Sequence, residues 1–474
     1  MDKNKPGAPF VTVLIAVGLL GGLSFIPWGK LTKHYFKDYN LLADVMPGTV
    51  EVTAEETLDP ELAEVENALS GEEEHEETSK TELKKLADSG DEEAQDRLER
   101  ASLSSEVETP KDIVENKIGG IVIIEDYTTN GNGPSHLRQA VRSTQRPARI
   151  GVIGDSYIEG DILTADIRKL LQDEYGGSGV GYVPLSSNLT GFRQTVRQSC
   201  KGWTVHEIRD KGTKDSMKTL SGQYFTAGDG AKTTFKGTAS YPHLDSWNKT
   251  TVLVIAPNGG SVTVGNETTE LEPSPNVQAI SSVGQFKSVD ITSTSGVEFL
   301  GAYLDGSSGI LVDNMSLRGN SGITHRNISV ELADAMSKHI DYDMIIVEYG
   351  INALSSKQKD YSGYKKLMKR TIGRLREAYP NADILMLGIG DRGQKIGTNI
   401  QSVPTSQNMV SAQRDAAREM GILFWDTREA MGGEGASIEW RQKGLINPDY
   451  IHLNQKGGKE LGSRFAKALI QSLK

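Results

Sequence analysis

The sequence has a single cysteine among 474 residues. No intrachain disulfide can form and no zinc site can be built on a set of thiolates; Cys200 reads as a small packed residue. A basic stripe is missing too. Lys and Arg total 52 against 63 Asp and Glu, and no run of cations gives the electrostatic footprint of a nucleic-acid binder. The glycine-rich stretch 176–182 (GGSGVGY) lacks the Lys-Ser/Thr ending of a phosphate-binding loop. It reads instead as a mobile loop lining a site. No long apolar lid interrupts the body of the chain, which weighs against a lipase.

The charge that is present is unevenly spread. Residues 44–117 hold 24 acids and 7 bases, a net of −17. The whole chain carries −11, so the remainder is +6 and close to neutral. Low hydrophobicity with high charge leaves too little apolar burial to offset ordering entropy, so 43–117 is expected to be a disordered acidic tether. Before it, residues 10–28 run for 19 positions without a charge, about 28 Å as a helix and close to the hydrocarbon thickness of a bilayer. A cleavable signal peptide has a shorter apolar run and a small-residue cleavage site. Residues 1–42 are therefore expected to be an uncleaved transmembrane anchor. Lysines on both sides leave its orientation open.

From residue 118 the pattern becomes that of a folded body. Residues 149–154 (RIGVIG), 344–349 (MIIVEY), 384–389 (ILMLGI) and 422–425 (ILFW) are apolar throughout, and each is followed by a stretch of helical periodicity. Such strands alternating with helices predict an α/β class fold, a doubly wound parallel sheet covered on both faces. Between the first two lies a different pattern. Residues 213–312 carry short β-rich runs punctuated by Gly and Asn, which predict an inserted β-sandwich. The α/β domain is thus expected in two parts, 118–212 and 313–474.

Four segments at loop positions carry chemistry. Gly154-Asp155-Ser156 follows the first strand, where a hydroxyl can stand at the top of the sheet near a helix N-terminus. Gly319-Asn320-Ser321-Gly322 precedes a helix. Asn352 ends the second strand, and Asp449 and His452 lie on the loop before the last helix. Each alone has a structural reading as turn glycines, caps or a loop histidine. Together they supply an acyl-transfer site. Ser156 is the nucleophile, His452 the base and Asp449 its orienting partner. The backbone N–H groups of Ser156 and Gly322 and the side-chain amide of Asn352 are the candidate oxyanion donors. His325, three residues after Gly322, is the rival base.

These blocks, GDSY, RGNSGIT, YGIN and DYIHLN in that order, resemble those of the SGNH (GDSL-type) hydrolases. By that resemblance Ser156, Gly322, Asn352, Asp449 and His452 take the family's nucleophile, oxyanion and acid–base positions. Ala353 departs from it, standing where an Asp commonly follows the Asn. With an inserted sandwich and an N-terminal membrane segment, the chain resembles the peptidoglycan O-acetylesterases of the bacterial cell envelope, whose insert is similar to a carbohydrate-binding module. The resemblance implies a membrane-tethered serine esterase that removes O-acetyl groups from a wall polysaccharide and needs no metal or organic cofactor. Its partners would be the acetylated polymer and the membrane. The catalytic body would face the periplasm or envelope from the inner (cytoplasmic) membrane. Trp203, Tyr224, Tyr241 and Trp247 of the insert are the candidates to stack on sugar. Two alternatives keep the same sequence: an O-acetyltransferase that loads a glycan, and a non-catalytic glycan-binding or assembly protein.

Overall fold

The computed structural model describes residues 117–474. The expected anchor and nearly all of the expected tether lie outside the described residues. Within them, no helix is long and apolar enough to cross a membrane.

Five parallel strands form the central sheet. In spatial order they are Ile310–Ser316, Ala148–Gly154, Met344–Glu348, Asp383–Leu387 and Leu423–Trp425, with Glu125–Asp126 antiparallel on the far edge. Ala148–Gly154 and Met344–Glu348 are buried at every position. Their side chains alternate between two cores. Ile150, Val152, Met344 and Ile346 pack with the helices Thr164–Tyr175 and Gln455–Leu473, while Ile153, Ile345 and Val347 pack with Ser362–Ala378 and Ser406–Met420. Burial on both faces is why these strands read as unbroken apolar runs. In chain order the parallel strands lie 2-1-3-4-5. The order reverses beside Ala148–Gly154, and the crevice beyond the carboxyl ends there is where such sheets bind ligands.

The insert is larger than its sequence suggests. Nine antiparallel strands, from Gly181–Val183 to Glu298–Asp305, form one continuous sheet. Gln223–Lys236 links its parts: Phe225 and Thr226 pair with Glu298–Asp305, and Lys232 to Lys236 pair with Ser288–Ser293. Phe225, Phe235, Trp247, Val252, Val289 and Phe299 share one buried core. This one paired sheet and its core stand where the inserted sandwich was expected. Two boundaries are corrected. Ile310–Ser316 pairs in parallel with Ala148–Gly154 and belongs to the central sheet, whereas Gly181–Val183 and Arg197–Glu207 belong to the insert. The first was obscured because an apolar edge strand next to β-rich sequence carries no mark of its partner.

A buried ionic cluster joins the two sheets. Arg149 donates to both carboxylate oxygens of Asp313 at 2.9 and 2.8 Å and also to Asp305, the last residue of the insert's final strand. Tyr342 Oη and the Tyr182 N–H complete Asp313, at 3.0 and 2.9 Å. The glycine-rich stretch 176–182 is packed at this end of the sheet, and does not line the site. A Cβ at Gly177 would lie 2.6 Å from the Ile310 carbonyl, and one at Gly179 would lie 2.2 Å from that of Leu304. These glycines permit close backbone packing at the amino ends of the strands, opposite the carboxyl-end crevice.

Candidate active site

Ser156 stands two residues beyond the strand Ala148–Gly154, on a turn fixed by Asp155. The fully buried Asp155 carboxylate accepts the Tyr157 N–H at 2.9 Å and the Asn352 amide at 2.8 Å. Across the sheet, the loop before the final helix brings in the base. Asp449 accepts the backbone N–H groups of Ile451 and His452 through one oxygen, at 2.9 and 3.0 Å, and His452 Nδ1–H through the other at 2.8 Å. Tyr450 adopts φ 60° to make this tight turn. Because an ionised carboxylate only accepts, Nδ1 carries the proton and Nε2 is left as the acceptor. Ser156 Oγ lies 2.9 Å from that Nε2. The helix Gln455–Leu473 holds the loop there. It approaches the chain after the nucleophile so closely that a Cβ on Gly458 would lie 2.0 Å from the Ile162 carbonyl.

The electrostatics suit a base. The hydrogen bond His452 donates to Asp449 raises its pKa above the ordinary imidazole value; burial opposes this, and the nearby charges of Asp449 and Asp155 add to it. Burial pushes the Asp449 carboxyl up, but its bonds from His452 and the Ile451 N–H more than offset this and leave it lowered. The rival His325 is enclosed. Its Nε2 is 3.0 Å from the Leu220 carbonyl, and burial pushes its pKa down to about 4.

One expected oxyanion donor is engaged elsewhere. Gly322 donates its N–H to Asn320 Oδ1 at 2.8 Å, and a Cβ there would meet the Tyr349 ring at 2.5 Å. It is a packing glycine with its donor already committed. Gly319, three residues earlier and half-buried with φ 71°, lies on the turn in which Asn320 N–H bonds the Leu317 carbonyl at 3.3 Å. Both glycines sit in the same short motif, and only the backbone path tells them apart. Asn352 is in place, its amide donating to Asp155 and, at 3.1 Å, to the Asn320 carbonyl.

Of the four expected sugar-stacking residues, two are buried and two are half-buried. Trp247 and Tyr224 are buried, Trp247 in the insert's core with its Nε1 bonded to Thr250 Oγ1 at 2.7 Å. Trp203 packs edge-on against Phe299 at 4.9 Å between centroids. Tyr241 is half-buried and its hydroxyl donates to Gln455 Oε1 at 3.3 Å. Two residues missed from sequence do border the catalytic group. Arg318 grips Glu159 through Nε and Nη2, with Nε at 3.1 and 3.0 Å from the two oxygens, and its side chain is 70% exposed. Its positive charge is felt by the His452 imidazole.

With the geometry in view, comparison with known proteins gives the class. Residues 259–459 match the GDSL-like Lipase/Acylhydrolase family. This span includes Asn352, Asp449 and His452 but begins after Ser156, so the nucleophile rests on geometry. A solved peptidoglycan O-acetylesterase is similar in fold, with a TM-score of 0.63 and 22% identity over 74% of this chain and 99% of that one. A family two carbohydrate esterase from Cellvibrio japonicus is similar at 12% identity and TM-score 0.26, over 59% of this chain and 98% of its own. No curated protein matches. The α/β domain has the SGNH (GDSL-type) hydrolase fold, and the chain resembles the peptidoglycan O-acetylesterases.

Proposed function

We propose that this chain is a membrane-tethered serine esterase that removes O-acetyl groups from a cell-envelope polysaccharide, peptidoglycan first among them. The observation that carries the reading is the unbroken relay Ser156 Oγ, His452 Nε2, His452 Nδ1, Asp449 Oδ2, with links of 2.9 and 2.8 Å. Ser156 Oγ attacks the acetyl carbonyl while His452 Nε2 takes its proton, and Asp449 stabilises the imidazolium. The N–H groups of Ser156 and Gly319 and the Asn352 amide hold the developing oxyanion, the amide giving up its longer bond to the Asn320 carbonyl. His452 returns the proton to the sugar oxygen as the ester C–O bond breaks. Water, deprotonated by His452, then releases acetate and frees Ser156. Residues 10–28 would anchor the enzyme in the inner membrane, and the acidic tract would let its body reach the polymer.

The similarity in fold to a peptidoglycan O-acetylesterase supports the choice of polymer. The test is acetate release from O-acetylated peptidoglycan by the full-length protein, beside Ser156→Ala. Release by the parent and a loss of several orders of magnitude in the variant is expected. Equal release by both would remove Ser156 from the mechanism. Acetyl groups moving to added glycan in preference to water would make the enzyme a transferase.

A further inference from the structure

Tyr224 and Trp247 are buried, Trp203 packs edge-on against Phe299, and the Tyr241 hydroxyl is held by Gln455, which turns attention to aromatic rings that are exposed. Among the described residues, Phe192 is the one aromatic in the set of exposed large hydrophobic side chains, at 46% exposure. Its position relates directly to the nucleophile. The turn after Ser156 is closed by Glu159 N–H to the Ser156 carbonyl at 3.4 Å. Gly160, the next residue, carries the Phe192 ring: a Cβ there would lie 2.6 Å from Cδ1 and 2.7 Å from Cε1, and its φ of 63° also favours glycine. The ring therefore lies directly on backbone, where a side chain would have pushed it away.

The loop that presents the ring is pinned. Phe192 and Arg193 N–H groups bond the Leu189 carbonyl at 2.9 and 3.0 Å. Arg193 Nε and the Thr195 hydroxyl both reach Asp161, the former at 2.9 Å. Asp161 is itself buried and held by Thr164 and Arg168 at 2.5 and 3.1 Å. An exposed ring on a rigid support is pre-organised, so binding to it orders little. On the neighbouring residue, Glu159 holds the exposed Arg318 guanidinium. An apolar ring face beside a planar donor matches a pyranose, which has an apolar C–H face and hydroxyl edges.

We propose that Phe192 is the platform on which a pyranose ring of the acetylated substrate stacks, with Arg318 donating to its hydroxyls. This rests on the carbohydrate-ester reading above and assigns recognition to a loop of the insert, between Gly181–Val183 and Arg197–Glu207, seated on Gly160 of the α/β domain. Full-length parent, Phe192→Ala and Phe192→Trp are compared on p-nitrophenyl acetate, O-acetylated peptidoglycan and acetylated xylan. We expect Phe192→Ala to leave kcat/KM on the small ester unchanged. On an acetylated glycan that the parent cleaves it should fall about tenfold, equal to ~1.4 kcal/mol, through KM, and Phe192→Trp should restore it. Equal glycan activity in parent and Phe192→Ala overturns the platform while the esterase reading stands. So does a matching loss on the small ester, which would make the ring structural. A parent that cleaves the small ester but neither glycan overturns the carbohydrate reading, and the platform with it.

Discussion

The carboxylate of Asp155 accepts a hydrogen bond from the Asn352 amide at 2.8 Å, so the nucleophile turn and the oxyanion donor are fixed to one another across two adjacent strands. Asn352→Ala removes a donor and a brace together. It should lower kcat by ~10²–10³-fold with KM little changed. Asn352→Asp should be at least as inactive and also less stable, because it sets a second carboxylate against a buried one. Steady-state kinetics on p-nitrophenyl acetate with urea denaturation check both. Full kcat in Asn352→Ala would place the oxyanion elsewhere.

His452 must be neutral to accept the Ser156 proton, so kcat/KM should rise with pH along a single limb. Since Asp449 raises the imidazole pKa, the midpoint should lie above the ordinary value for histidine. Asp449→Asn removes the charge that favours the imidazolium. Its limb should move to lower pH while the plateau falls by orders of magnitude, ~10⁴-fold in the comparable triad case. A pH–rate profile of each form decides the matter; a limb that stays in place would separate Asp449 from the base.

The two glycines of the second block should part company on substitution. Gly322→Ala forces a Cβ into the Tyr349 ring at a φ of 87°, so thermal stability should drop by several kcal/mol, the overpacking and left-handed strain adding. At Gly319 the nearest atom to an added Cβ is Arg209 Nη1 at 3.4 Å. Gly319→Ala should therefore cost only ~1–2 kcal/mol of backbone strain, yet reduce kcat. Melting curves set beside kcat test the division. A Gly319→Ala as unstable as Gly322→Ala would undo the division.

Glu348 ends the strand beside Gly154 and is buried, with Oε2 unpartnered and the Asp155 N–H against its carboxyl. Burial, then the Asp155 charge, pushes its pKa well up. A carboxyl raised in the folded state binds more protons there than in the unfolded chain. Its contribution is full below the unfolded pKa and declines as pH rises towards the folded one. Glu348→Gln should abolish that decline, so its melting temperature relative to the parent should be more favourable at pH 8 than at pH 5. The same difference at both pH values would mean that Glu348 is ionised in its site.

The linear sequence determined a great deal of this protein. Strands 149–154 and 344–349 were legible because burial on both faces demands apolar residues, with Arg149 and Glu348 the exceptions. Ser156, Asp449 and His452, each ordinary alone, stood out because together with Asn352 they supply every part of an acyl-transfer site. The structure alone decided matters that depend on partners distant in the chain. Edge strand Ile310–Ser316 is defined by pairing with Ala148–Gly154. Gly322, an expected oxyanion donor, spends its N–H on the side-chain oxygen of its neighbour Asn320 and packs on the Tyr349 ring. Trp247 and Phe192 are both aromatic residues amid β-rich or polar sequence, and composition gives no sign of which faces solvent. That is settled by which side chains meet across the chain, Trp247 joining the core of the insert and Phe192 resting on Gly160 with its other side exposed.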